Sequence, residues 1–394
     1  MNRTAVVSES DEAFSLVQGD VFSRLQNKLG LIPAAGLGLK RRALLYAMLA
    51  WLPLVLAALF SGTSLRADPP GEPLFGHFGI HIRCLVAIPL LVLAEGVAQR
   101  NIVLCLRQFK QSGLVDAALA PRFDAIVEGV ATLKRRMLPW IIILGLVLAW
   151  TAGFLISPNP DELRWTASDN AVMTFAEWWF LLVTRPIFST LLLAWLWRFI
   201  LLGLLLWRIS RLPLKLAVQH PDRMAGLGFL DRLPAVYGPV LFSLSAVLAG
   251  AWAHQVFYHD LPIPALYVQI GTLIGVLVLI GLAPLMAFSP VLLRARRQAL
   301  LDYGVLLAEH GRAVDARWIK KQHVAADAIL DAPELGPVAD IRVLYESVSA
   351  MRPAIISKAI LLKLIVPSAL PLLILVATQW PLTTTLNKLL FTLL

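Results

Sequence analysis

Arg198 is the residue best placed to do chemistry in this chain. It lies ten residues before Arg208, which closes a long apolar run, and at the rise of an α-helix that is roughly 15 Å into the run. A charge at that depth of a bilayer costs ~2.5 kcal/mol or more, so such a residue faces protein or water rather than lipid. Two roles fit it: an anion-attracting position in a pore or substrate cavity, or an arginine bonded to neighbouring carbonyls and flanked by Trp195 and Trp197. Arg185 falls near the outer boundary of the same run, beside Pro186. Glu95 is a carboxylate inside another apolar run, and it pairs in this reading with Arg198 or with basic residues at the inner mouth. Proton relays across membranes are built from chains of acidic groups, and the scarcity of such groups here argues against a proton-driven pump.

His77, His81, His254, His259 and Asp260 fall on the other side of the apolar runs. His77 and His81, four apart, share a face if that segment is helical. Converging, these five would offer imidazole nitrogens to a transition metal; otherwise they are ordinary loop polarity. A further cluster is the segment Gln219–Leu230, with His220, Asp222, Arg223, Gly226 and Gly228. Pro221 and the two glycines mark a fixed turn, in which Asp222 is suited to capping backbone N–H groups. That segment either binds a ligand or clamps onto neighbouring helices. It is not a phosphate loop, since no Gly-Lys-Ser/Thr follows. Gly-x-Ser-x-Gly and His-Glu-x-x-His signatures are likewise missing, and no motif specifies a cofactor.

The elements that position these residues are apolar helices. The chain has 394 residues, 58% hydrophobic and 15% charged, with a mean hydropathy of +0.73. Soluble domains carry about 25% charged residues, so this composition belongs in lipid. About 20 apolar residues span the hydrocarbon core, and seven stretches meet that test: 43–60, 82–98, 138–156, 177–208, 239–258, 265–293 and 360–380. The fourth, 32 residues from Glu177 to Arg208, is longer than a bilayer needs and should tilt or kink at Pro186. Pro284, Pro290, Pro367 and Pro371 predict kinks in the last two. Ala246 with Gly250, and Gly271 with Gly275, are small-residue pairs suited to close helix packing, within the chain or between copies.

Charge sets the orientation. With the N-terminus inside, 28 of the 35 Lys and Arg residues lie in 1–42, 100–137, 208–237 and 294–359, while the opposite loops hold only Arg66 and Arg164. That is the positive-inside pattern. It also accounts for the net charge of +10 through cytoplasmic retention and anionic lipid, without nucleic acid. Phe14, Val17, Val21 and Leu25 predict an amphipathic helix of roughly four turns in a polar N-terminal arm that lacks the layout of a cleaved signal peptide. Cys84 and Cys105 fall near opposite ends of one span and do not pair. Residues 100–137 and 294–359 are expected to carry the helices on into the cytoplasm, the latter broken by a turn at 331–337.

The run His220-Pro221-Asp222-Arg223-Met224-Ala225-Gly226-Leu227-Gly228-Phe229-Leu230 resembles the HPDRxGGLGFL-type segment of a group of bacterial multi-pass membrane proteins, and Ala350-Met351-Arg352-Pro353 is similar to that group as well. The resemblance covers the C-terminal half and implies a polytopic membrane protein, but it brings no activity and no functional residues. Ala225 stands where the group's pattern has glycine, which leads one to expect a less extreme turn.

The expectation is therefore an all-α polytopic membrane protein of a bacterial inner membrane with about seven transmembrane helices. Its parts are an arm at 1–42, spans 1–6 within 43–293, a cytoplasmic helical arm at 294–359, and a last span with tail at 360–394. Three functions are carried forward: an oligomeric channel or passive transporter favouring anions, a scaffold or sensor engaging a cytoplasmic protein, and a membrane-embedded metal-dependent enzyme resting on the outer histidines.

Overall fold

The computed structural model describes residues 15–17, 19–28, 30–31, 37–63, 73–156, 173–321 and 336–378. Phe14, the tail beyond Thr378 and most of the 331–337 turn lie outside them, as do Arg66 and Arg164. Every regular element among the described residues is a helix, with no strand. The chain is a polytopic all-α protein in which seven helices are long and apolar enough to cross a membrane.

A short helix, α1 (Val21–Lys28), precedes the first span, α2 (Leu39–Phe60). The second span, α3, runs from Phe78 to Gln111 and contains one π turn at Arg83–Ala87. Next come α4 (Ala120–Arg135) and the third span α5 (Leu138–Ile156). The fourth span, α6, runs from Phe175 to Ser210. Then follow α7 (Pro234–Tyr258), α8 (Tyr267–Leu282), α9 (Ser289–Val314), α10 (Gly336–Ser349) and α11 (Lys358–Thr378).

Several boundaries differ from the sequence-based expectation for local reasons. The arm helix starts at Val21 rather than near Phe14, because the Asp20 carboxylate accepts the Ser23 N–H and caps it there. Arg136 is extended, at φ −64° and ψ 144°, so α4 is separate from α5 and not an inward extension of it. The sixth span stops at Leu282 instead of Leu293, since Pro284 begins a 3-10 turn and Pro290 sits in the first turn of α9. Those two prolines delimit helices, as proline's missing N–H allows; Pro367 and Pro371 do lie inside a span, α11. In α6 the departure from regularity is a π turn at Phe180–Thr184, one residue before Arg185 and Pro186.

The core sits around α7. Within the apolar stretch of its span 72% of residues are buried, against 17% for the spans of α5 and α8, which present apolar side chains outward as lipid-facing helices do. Gly250 of α7 approaches Gly79 of α3 so closely that a Cβ would lie 3.1 Å from the Gly79 Cα. The Ala246–Gly250 pair thus serves packing inside the chain. Gly271 and Gly275 meet nothing within 4 Å and lie on an open face of α8.

Candidate functional site: a buried ion cluster

One end of the bundle gathers the arm, α4 and the first turn of α2. Lys40, Arg41 and Arg42 begin α2 in immediate succession, and adjacent helix positions face different ways. Lys40 and Arg41 are exposed, whereas Arg42 is 2% exposed. Its Nη1 donates to the Glu95 Oε2 of α3 at 2.7 Å and also to the Leu37 carbonyl. From α6, the Arg198 Nη2 lies 3.0 Å from the other Glu95 oxygen. A fully buried carboxylate is therefore held between two guanidinium groups, and three spans meet at one ion cluster. Trp195 supports it: its indole N–H donates to the Leu91 carbonyl, and the Arg198 Cζ lies 5.1 Å from its ring centroid.

The arm supplies a second carboxylate. Asp20 is buried, with Oδ1 accepting the Ser23 N–H at 2.7 Å and Oδ2 lying 3.9 Å from the Arg198 Nη2. Around it the arm is fixed to several elements. Lys134 of α4 donates to the Ser15 carbonyl, Gln26 to the Tyr46 hydroxyl of α2, and Arg24 to the Arg135 carbonyl. Phe22 stacks on Trp140 of α5, with centroids 5.4 Å apart. Burial pushes the Lys134 ammonium down to about 8, partly opposed by the Asp20 carboxylate.

Arg42 and Arg198 are buried cations on Glu95, and among the described residues Asp20 and Glu128 are the carboxylates that act on the buried Lys134. The Arg42 Nε and the Arg198 Nε and Nη1 are buried and make no hydrogen bond among the described residues. Buried guanidinium donors left without an acceptor are costly in a low-dielectric interior. Sequence reasoning singled out Arg198 and Glu95, and the structure brings these two together. Arg42, Asp20 and Lys134 went unnoticed, because each sits in a charged flank that reads as solvated. Arg185 does not join the cluster: its Cζ lies 4.0 Å from the Phe154 ring centroid.

At the opposite end, His77 of the α3 entry and His254 of α7 stack with centroids 4.3 Å apart, and His254 makes an edge contact with His259. His81 points elsewhere: Nδ1 accepts the Trp51 indole N–H at 2.9 Å, and Nε2 faces the Leu74 carbonyl. Asp260 follows in a left-handed conformation with φ 51°. Among the described residues, no group of three or more His, Cys, Asp or Glu side chains is arranged to hold a metal ion.

The His220–Leu230 segment forms a turn built on Asp222. Its Oδ1 accepts the Met224 and Gly226 N–H groups at 2.7 and 3.3 Å, and its Oδ2 the Gly228 N–H at 2.8 Å. Ala225 has φ 54°, Arg223 φ 58° and Gly226 φ 87°, so alanine does not relax the turn as expected. The three hydrogen bonds to Asp222, and the Ala225 carbonyl accepting the Ala217 N–H, hold a conformation that alanine alone disfavours. His220 lies beside Asp222 at 3.1 Å, on the exposed side. The turn is tied to the chain's other helices: the Arg223 carbonyl accepts the Arg352 N–H at 2.8 Å, the Gln219 amide donates to the Tyr303 hydroxyl of α9, and Ser347 of α10 donates to the Gln219 carbonyl. Its partners are thus within the chain, and they include the Ala350–Pro353 segment that shares its resemblance.

No protein-family model, no curated protein and no solved structure matches this chain.

Proposed function

We propose that this chain is a bacterial inner-membrane protein, its N-terminus cytoplasmic, that passes a small anion through the bilayer as a channel or passive transporter. The observation that supports this reading is the buried Arg198 within a span, with the Nε and Nη1 of its guanidinium satisfied by no described group. A purely structural ion pair would favour matched charges and satisfied donors, because an unpaired buried charge is costly. The basic residues of 100–137, 208–237 and 294–359 would then line the cytoplasmic face and concentrate anions near the cluster.

The test is chloride flux into liposomes holding purified protein, with Arg198→Leu alongside. This substitution leaves the Arg42–Glu95 pair in place. Chloride entry above protein-free liposomes, reduced at least about tenfold in Arg198→Leu, is the expected result; a tenfold loss corresponds to ~1.4 kcal/mol. Liposomes as tight as protein-free ones, with folded and inserted protein, overturn the proposal.

A second reading, a scaffold engaging a cytoplasmic protein, draws on α9, where Leu301 and Val305 are exposed one turn apart. Under that reading Arg198→Leu leaves partner binding intact, whereas Leu301→Ser weakens it in a pull-down with the detergent-solubilised protein.

A further inference from the structure

Two spans, α3 and α11, pack on α7 and leave a groove between them with α7 as its floor. At the end where α7 and α11 begin, the groove has a volume of about 540 Å³. Its lining there includes Val86, Leu90 and Leu93 of α3, Gly238 and Phe242 of α7, and Pro367 of α11. Val86 and Phe242 also line a second stretch of about 470 Å³ that runs on to Phe257 and Thr378, so the groove is continuous. The stretch of α7 from Gly238 to Phe257 rises roughly 29 Å, close to the ~30 Å of a hydrocarbon core. Its width suits a hydrocarbon chain better than a further helix. From Val86 to Leu93 is roughly 11 Å of rise, over which a helix ~10–12 Å across takes up roughly 1,000 Å³, about twice the volume present.

Both walls carry a cation where the groove nears the helix ends. Arg100 stands seven residues after Leu93, two turns on along the same face of α3, and is exposed. Lys363 stands four residues before Pro367, on the same face of α11, and is also exposed. A Cβ at Gly238 would lie 3.9 Å from the Lys363 carbonyl, which places that lysine beside the groove floor. Its ammonium donates to the Asp231 carbonyl at 2.9 Å and lies 3.4 Å from the Asp231 Oδ2, a surface pair of the kind that solvent and salt screen. Arg232, next in the chain, is exposed as well. At the far end of the groove stand Phe78, Phe257 and Thr378, none of them charged.

We infer that this groove binds an anionic phospholipid, with one acyl chain laid along Val86, Leu90 and Leu93 and the phosphate resting between Arg100 and Lys363. The apolar lining and the two flanking cations repeat, in order, the tail and head of such a lipid. One leaflet supplies ~15 Å of chain, enough to fill the stretch that starts at Gly238 and Pro367. A zwitterionic lipid offers the same tail and phosphate, but its own cation opposes Arg100 and Lys363. The groove therefore selects by net head-group charge. Under the proposed orientation the lipid belongs to the cytoplasmic leaflet, where anionic lipids meet basic residues. The inference does not depend on the transport reading.

Native mass spectrometry of the full chain, delipidated in a nonionic detergent, provides the test. Phosphatidylglycerol and phosphatidylcholine with identical chains are added in turn. The parent should retain one phosphatidylglycerol with an affinity about tenfold or more above that for phosphatidylcholine, as two cations near an anionic head group supply. Arg100→Gln with Lys363→Gln should bring phosphatidylglycerol down to the phosphatidylcholine level. The control, Lys40→Gln with Arg41→Gln, removes two exposed cations of α2 and should keep the preference. Leu93→Trp, which fills the groove, should weaken retention of both lipids severalfold, about the loss expected when a chain is displaced from apolar surface. All variants should share the parent's size-exclusion profile. Equal affinity of the parent for the two lipids overturns the inference. So does a preference that survives Arg100→Gln with Lys363→Gln, or one lost as fully in the control, since either places the lipid on other surface charge. Retention unchanged in Leu93→Trp also overturns it, and a dimer that this substitution abolishes would then assign the groove to a second copy.

Discussion

Glu95 is where the energetics of single residues are sharpest. It is fully buried and faces Arg42 and Arg198, so Glu95→Gln leaves two guanidinium groups without their counter-charge. Breaking a buried ion pair from one side costs about 3–5 kcal/mol, and urea unfolding of the detergent-solubilised protein should show a loss of that order. Arg198→Leu should cost much less, since Glu95 keeps Arg42 and Asp20 keeps Lys134 nearby. Lys134 gives a pH signature. Its folded pKa, about 8, lies below the ordinary 10.5 because burial disfavours the ammonium. The penalty is fully present below about pH 8 and is relieved as pH rises toward 10.5, so stability increases across that window. Asp20, Glu128, Arg135 and Arg198 are the charged neighbours that set the balance. The unfolding midpoint should rise between pH 7.5 and 9.5 (about the usable range for this linkage), and Lys134→Met should flatten that rise. At this scale the sequence was half legible. Arg198 and Glu95 stand out because a charge in an apolar run is conspicuous. Asp20, Arg42 and Lys134 do not, because whether a flanking charge is solvated or buried is decided by tertiary contacts between residues far apart in the chain.

Among the elements, the Asp222 turn determines how the loop after α6 meets α9, α10 and the entry to α11. One side chain accepts three backbone N–H groups, and the backbone crosses the left-handed region at Arg223, Ala225 and Gly226. A Cβ at Gly228 would lie 2.8 Å from the Asp222 Oδ2. Gly228→Ala should therefore evict the cap and destabilise by about 1–3 kcal/mol, as Asp222→Ala does by removing it. Comparing the two variants and their double in thermal unfolding checks this; losses that add fully would show that the glycine acts independently of the cap. That this segment is a turn was readable from Pro221 and the glycines. Its backbone conformation at Ala225 was not, because alanine's intrinsic preference opposes it and only the Asp222 bonds override that preference. The helix boundaries behaved likewise. Apolar length marks a span, whereas the break after Leu282 and the π turns at Arg83–Ala87 and Phe180–Thr184 depend on local bonding that hydropathy does not record.

For the whole molecule, the seven spans were the most legible feature, because the hydrocarbon core sets a length that few soluble segments reach. What the sequence could not give is how the spans are arranged: α7 at the centre, with α5 and α8 largely exposed. Burial in a bundle depends on neighbours, and α7 is no more apolar than its lipid-facing companions. The open face of α8 provides a test of self-association. A Cβ at Gly271 or Gly275 would meet no described residue within 4 Å, so Gly271→Leu and Gly275→Leu should leave the fold of one copy unchanged. If copies associate through this face, as small-residue pairs permit, the substitutions should convert the assembly to single copies in native mass spectrometry. An unchanged mass would place any association elsewhere.

The Arg42–Glu95 pair also bears on how the protein enters its membrane. The two residues lie at the same end of consecutive spans, so this helical hairpin leaves the ribosome already holding its own neutralising partner, while Arg198 is not yet synthesised. Delivered singly, each helix would bring an uncompensated charge into lipid, at ~2.5 kcal/mol or more apiece. Delivered as a hairpin, they bring a bonded pair 2.7 Å apart. The arginine of α6 then arrives at a carboxylate that is already in place and half occupied. The order of synthesis thus matches the order in which the cluster can form, and a nascent chain ending soon after Gln111 should integrate less efficiently when Glu95 is replaced by glutamine.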